Sequence, residues 1–150
     1  MTTHIRPLQK DDEAEWRNLW QQYNDFYQRT ISEEVTKTTF ARLLDDNVRM
    51  YAAVAVDRNE NAIKGLTHWY PHPSTSSVEE TVYLQDLFVD PHTRNGGIGR
   101  QLIEHVYEHA RAMNAKSVYW HTQNFNHRAQ LLYVKVADKT DRVQYSKILQ

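Results

Sequence analysis

Three of the four glycines in this 150-residue chain, Gly96, Gly97 and Gly99, fall within a single turn. The run 84–89, apolar except for Gln85 and Asp86, leads into that turn, and Ile98, Leu102, Val106, Ala110 and Met113 follow at helical spacing. A strand, a glycine-rich turn and a helix in immediate succession let a ligand come close to the backbone, because glycine has no Cβ and tolerates positive φ. The N–H groups of the helix's first turn point outward there, with the positive end of the helix dipole behind them. Arg94 and Arg100 add full positive charges. Together these features suit an anion, best a phosphate or pyrophosphate.

Two common phosphate patterns do not fit. Arg100 and Gln101 stand where a P-loop needs Lys followed by Ser or Thr. Gly97 and Gly99 begin a dinucleotide fingerprint, but Leu102 occupies the place of its third glycine and no early strand–helix–strand unit surrounds it. His105, Glu108 and His109 formally match the zinc-peptidase pattern H-x-x-E-H. At about 100° per residue, both histidines fall on the rim of the apolar arc and Glu108 points away from it. No clear third ligand accompanies them, so a packed or solvated helix edge is expected, and no metal. Cysteine is absent, which removes disulfides, thiolate metal sites and covalent cysteine chemistry. Eighteen basic and nineteen acidic residues leave a formal net charge of −1, so a broad nucleic-acid-binding face is not expected. No apolar run approaches the ~18–20 residues of a membrane span, and the first residues hold no apolar signal core. These features predict one cytoplasmic domain spanning residues 1–150, with neither nucleic acid nor membrane as a partner.

The elements that must position the turn follow from periodicity. Residues 4–6, before Pro7, read as a short strand, since a residue preceding proline is pushed out of the α region. Asp11 and Asp12 offer a helix N-cap, and Trp16, Leu19, Trp20, Tyr23 and Tyr27 then share one helical face. Ser32, Glu33 and Glu34 open a second helix, with Val35, Phe40, Leu43 and Leu44 as its buried side. Residues 48–56 and 62–70 read as a hairpin around the turn cluster 57–61, and the strand ending at Val89 is apolar on both faces, hence central. A helix over 98–113, a short strand over 117–121, a helix over 126–137 and a final strand over 143–149 complete the pattern. The predicted class is α/β: a mixed, mostly antiparallel sheet with flanking helices in the order β-α-α-β-β-β-α-β-α-β.

Arg94, Asn95, Gly96, Gly97, Ile98 and Gly99 match the R/Q-x-x-G-x-G/A signature of the GCN5-related N-acetyltransferases, and Leu84, Leu87, Val89, Pro91, Leu102 and Ile103 fit its flanks. Asn126, Ala129, Leu132, Tyr133 and Lys135 resemble that family's second segment, N-x-x-A-x-x-L-Y-x-K. Two motifs in order are far more specific than one glycine turn. The element order is similar to the family's from end to end. The segments 84–89 and 23–27 look most like the polyamine and Hpa2-type acetyltransferases.

The resemblance implies an acetyl-CoA-dependent N-acetyltransferase that moves acetyl directly to a primary amine (a polyamine, an amino acid or another small amine) in a ternary complex. Alternatives are a non-catalytic acetyl-CoA sensor and a protein or histone-tail lysine acetyltransferase. Backbone groups of Leu87 and Val89 would bond the pantetheine arm, and an N–H near Phe88 would polarise the thioester carbonyl. The turn from Arg94 through Asn95, Gly96, Gly97, Ile98 and Gly99 to Arg100 would hold the pyrophosphate. Asn126 would meet the pantetheine from the other side, and Arg128 the phosphates. Tyr133 matches the tyrosine beside the thioester sulfur, where a phenol of ordinary pKa about 10 stays protonated and can assist the departing thiolate. Asp86 stands where the family often keeps an acid, although Gln85 replaces the Glu of the polyamine-type pattern. Glu79, Glu80, His68 and His121 are further candidates for the base. For the acceptor, Gln85, Tyr27 and Glu33 are expected contacts, within a wider set of aromatics and acids (Trp20, Tyr23, Asp25, Glu34) suited to a cationic amine. The chain departs from many relatives after Tyr133, running through Ala137 into Asp138, Lys139, Thr140 and Asp141, so the last strands and the pocket wall stay open. A homodimer through those strands is expected by the same resemblance.

Overall fold

The computed structural model describes residues 2–93 and 96–150. Strands Thr3–Pro7 (β1), Tyr51–Asp57 (β2), Ala62–His72 (β3), Thr81–Val89 (β4) and Ser117–Tyr119 (β5) lie in one sheet in chain order. The first four are antiparallel and β5 runs parallel to β4. Helices Glu13–Phe26 (α1) and Glu33–Leu44 (α2) separate β1 from β2, Ile98–Ala112 (α3) links β4 to β5, and His127–Val136 (α4) follows β5.

Period-two alternation in β2 divides the core between the two faces of the sheet. Val54 and Val56 meet Trp16, Leu19 and Trp20 of α1 and Phe40 and Leu43 of α2, with Leu66 of β3 among them. Ala53 turns the other way, into a cluster with Trp69, Val82 and Leu84 of the sheet and Ile103, Val106 and Ala110 of α3. Every residue of β2 after Tyr51 is buried, as a strand covered on both faces should be.

Helix starts are fixed by local chemistry. The Ser32 hydroxyl accepts from the Val35 N–H at 3.2 Å, which caps α2. Asp12 precedes α1 but does not cap it; its carboxylate holds Arg6 through two bonds of 2.7 and 2.9 Å and accepts from the Gln9 N–H. A 3₁₀ turn, Lys10–Asp12, results, and it ties β1 to the start of α1.

Two further expectations need correction. Residues 137–150 form no strand: Val143, Tyr145, Ile148 and Leu149 are almost wholly exposed, and β5 remains an edge strand. A strand needs a neighbour to take its N–H and C=O groups, and residues 138–150 pair with no strand. Val35 does not join the buried side of α2 either; it is half exposed beside an open cleft, while Phe40 and Leu43 are buried.

Candidate active site

β4 and β5 pair only at Thr81–Ser117, Val82–Val118 and Tyr83–Tyr119. Beyond Tyr83 they part, and the outer edge of Leu84–Val89 has no strand beside it among the described residues. On the other side, the Asp90 N–H donates to the Lys64 carbonyl at 2.8 Å in the β3–β4 ladder. Alternation then turns the N–H and C=O of Phe88 toward β3, and those of Leu87 and Val89 toward the open edge. The free N–H groups next to Phe88 are therefore those of its two neighbours. A linear amide-bearing chain can add to such an edge as a strand would.

The glycine turn closes one end of this fork. Arg94 and Asn95 lie outside the described residues. Gly97 has φ of 97° and serves as the N-cap of α3, a conformation that favours glycine, and nothing lies within 4 Å of where its Cβ would be. Gly99 serves packing instead, since a Cβ there would stand 3.2 Å from Leu132 of α4, and its absence lets α3 and α4 approach. The N–H groups of Ile98, Gly99 and Arg100 precede the first intrahelical bond, which runs from Gln101 to Gly97. The Arg100 guanidinium pairs with Glu104 at 3.0 Å on the solvent side, and Arg128 is exposed near the start of α4. This cradle suits a pyrophosphate at the end of an extended arm.

α4 brings the second motif to the fork. The Asn126 side chain caps α4 by accepting from the Ala129 N–H, and its amide also donates to the Tyr27 hydroxyl at 3.3 Å. Tyr133 is half-buried with its ring edge-on to Trp120, centroids 5.4 Å apart. Burial, with a smaller push from nearby Tyr27, takes its pKa up to about 12. Among the described residues its hydroxyl has no hydrogen-bond partner. The phenol is thus a proton donor held in its protonated form through neutral pH.

A β-bulge decides where Asp86 points. His68 opposes Asp86 and Trp69 opposes Leu84, so Gln85 is an extra residue in β4. Leu84 faces α3, yet Asp86 faces α1 and α2, which strict alternation would forbid. Asp86 is 7% exposed, and its Oδ2 lies 2.9 Å from His68 Nδ1, while the Trp16 indole N–H donates to His68 Nε2 at 3.0 Å. Tyr23 adjoins them: burial first, then the Asp86 charge and a hydrogen bond to it, hold its phenol well above the ordinary value.

Asp86 and Gln85 line a cleft of about 300 Å³ between β3, β4, α1 and α2. Ile31, Val35, Leu43 and Met50 supply apolar wall, and Arg29 and Arg42 supply two cations. The Arg29 guanidinium lies over the rings of Tyr23 and Tyr27, 5.2 and 5.5 Å from their centroids. Two buried polar atoms of cleft residues lack partners: the Trp20 indole N–H and the Asn24 Oδ1, whose amide nitrogen already donates to the Trp20 carbonyl at 2.9 Å.

The other candidates lie elsewhere. Glu33 is exposed and pairs with Arg17 at 2.8 Å, outside the cleft. Glu80 forms a fork with Arg49, and Glu79 is exposed. His121 Nδ1 is 3.2 Å from the Tyr83 hydroxyl, on the flank of β4. His109 accepts from the Trp69 indole at 2.9 Å and Glu108 pairs with Arg111, so that pattern serves packing and surface charge. The sequence reading missed Arg29, Arg42 and Asn24. A signal existed only for Asn24, an amide on an otherwise apolar helical face; nothing distinguished the two arginines from surface cations.

A splayed parallel strand pair, a glycine turn at the head of a helix and a tyrosine on the following helix are the features by which the chain resembles the acetyltransferases. The model of the Acetyltransferase (GNAT) family matches residues 7–137, and the chain belongs to that family. It is 42% identical over 143 residues to the D-amino-acid N-acetyltransferase HPA3 of Saccharomyces cerevisiae, covering 95% of this chain and 89% of that one. It is 31% identical over 130 residues to the uncharacterized N-acetyltransferase YhfO of Bacillus subtilis, covering 87% and 85%. Its activity is therefore N-acetyl transfer. Solved structures with the same fold include a probable acetyltransferase (TM-score 0.85, 20% identity, 98% of both chains). Another is AAC(6')-Iy in complex with a bisubstrate analog, CoA-S-monomethyl-acetylneamine (TM-score 0.82, 18% identity, 99% of both). No helix among the described residues is long and apolar enough to cross a membrane.

Proposed function

We propose that the chain transfers the acetyl group of acetyl-CoA directly to the amine of a small amino acid, with both substrates bound together. The observation that carries this reading is the opposition of charge within one cleft. Asp86 can receive an ammonium, while Arg29 and Arg42 can receive a carboxylate. Two cations disfavour a polyamine or a lysine-rich tail, which bring positive charge alone. The relative HPA3, at 42% identity, is named for D-amino acids.

In this reading the Leu87 and Val89 backbone groups bind the pantetheine arm and the turn at Gly96–Gly99 binds the pyrophosphate. A nitrogen–carbon bond forms as the carbon–sulfur bond breaks. Two protons leave the nitrogen in all: Asp86 takes the first and passes it to solvent, and the second restores Tyr133 after its phenol has protonated the departing thiolate. Thiol release from acetyl-CoA tests this across D- and L-amino acids, spermidine, an aminoglycoside and a lysine-rich peptide. The chain has no cysteine and adds no thiol background. Amino acids should be preferred, and their carboxamides should show KM raised about tenfold or more, since a hydrogen bond to a charged group is worth about 1.5–3 kcal/mol. A preference for spermidine would overturn the acceptor. Thermal stabilisation by acetyl-CoA without turnover of any amine would favour a sensor.

The same reading takes the protein as a cytoplasmic homodimer, acetyl-CoA being an intracellular metabolite. The exposed Val143, Tyr145, Ile148 and Leu149 and the free edge of β5 give a second copy something to cover. Light scattering should return twice the mass of one chain, and truncation after Ala137 should halve it; a full-length monomer rejects the dimer.

A further inference from the structure

We propose that His68 is a positioning residue for acetyl transfer: Trp16 fixes the ring's proton on Nδ1, and that proton fixes the Asp86 carboxylate at the wall of the acceptor cleft. The inference rests on the reading of Asp86 as the proton acceptor. An indole N–H can only donate. Because Trp16 donates to Nε2 at 3.0 Å, that nitrogen must be bare, and the ring proton must sit on Nδ1, 2.9 Å from Asp86 Oδ2. A second proton would set an Nε2–H against the indole N–H, donor facing donor. Trp16 has no room to turn aside: it is fully buried, stacked on Trp20 with centroids 5.5 Å apart, and packed on Phe40 at 5.1 Å.

His68 is 3% exposed, so water does not compete for either nitrogen. Sequence alone leaves it among the candidate bases; in this arrangement both its nitrogens are engaged and it cannot accept a proton from the amine. Its role is to hold Asp86 Oδ2, beside the hydrogen bond that Tyr23 gives the same carboxylate, so that the group keeps its place at the cleft wall. Thr67 supports the same residue from the backbone side, its hydroxyl donating to the Asp86 carbonyl at 2.9 Å. The ionisable groups around the pair are Tyr23 of α1, Arg42 of α2, Tyr70 of β3, Tyr83 of β4 and Arg29 of the α1–α2 connection. None of them replaces the Trp16 clamp on Nε2.

Nitrogen-15 NMR of the wild-type protein should find His68 as a single tautomer, with the proton on Nδ1 and Nε2 bare. Trp16→Phe should remove the donor to Nε2, so that the same spectrum shows both His68 tautomers. His68→Leu should lower kcat by about 10- to 100-fold with little change in the amino acid's KM, the usual cost of a displaced catalytic group. His68→Asn, which can still donate to Asp86, should restore most of it. A proton on Nε2 in the wild type or full activity in His68→Leu overturns the proposal; the NMR result stands even if the leucine variant fails to fold. Asp86→Asn run alongside separates the two readings. Its retention of activity removes Asp86 as acceptor, whereas its inactivity beside a fully active His68→Leu removes only the positioning role.

Discussion

Tyr133→Phe should lower kcat by about 10²- to 10⁴-fold, the range for loss of a positioned proton donor, while leaving KM for acetyl-CoA and for the amine nearly unchanged. The substitution removes one oxygen and keeps the ring that packs edge-on against Trp120. Its effect therefore falls on the departing thiolate and not on the fold. Burial has raised the phenol to about 12, so it keeps its proton throughout the neutral and mildly alkaline range. The sign matters for the pH profile. A raised pKa means that activity dependent on the protonated form is complete below about 12 and lost only above it, so any alkaline limb seen nearer neutrality belongs to another group. Thiol release followed from pH 6 to 10 should give parallel wild-type and variant profiles, offset by the loss. A variant within about threefold of wild type would assign the proton to solvent and leave Tyr133 as a packing residue; the lower bound of about 10² for a general acid makes the distinction clear.

The parts of the molecule governed by local periodicity could be read from sequence. Ile98, Leu102, Val106 and Ala110 share a face in the sequence and are buried together in α3. Gly97 stands where the turn needs positive φ. What sequence could not reach depends on register between strands. Asp86 shares parity with Leu84, and the simple alternation of a strand would place both against α3; the extra residue at Gln85 reverses that, and nothing in the local sequence marks the bulge. The clamp from Trp16 to His68 joins residues 52 positions apart, and helical spacing shows only that Trp16 is inward-facing, never which partner its N–H will meet. The final strand failed for a related reason. Alternation in residues 143–149 records the capacity to pair, and pairing needs a strand alongside, which these residues do not have here.

Asp86→Asn should lower kcat/KM for the amino acid by about 10²- to 10³-fold at pH 7, combining loss of a general base with loss of the ammonium's charged partner. Asparagine has nearly the same shape, and its carbonyl oxygen can still accept from His68 Nδ1. Leu87, Val89 and the glycine turn are untouched, so thermal stabilisation by acetyl-CoA should persist and report an intact fold. The decisive feature is recovery with pH. An ammonium has no lone pair, and without Asp86 only solvent can remove its proton. The variant's kcat/KM should then rise about tenfold per pH unit until the amine's own pKa is reached, since each unit is about 1.4 kcal/mol in the ratio of free amine to ammonium. The wild type, carrying its acceptor 7% exposed beside the cleft, should respond much less steeply over the same range. Equal slopes for the two proteins would mean that solvent deprotonates the amine in both. Asp86 would then serve as an electrostatic anchor for the ammonium, and its loss would appear in KM alone.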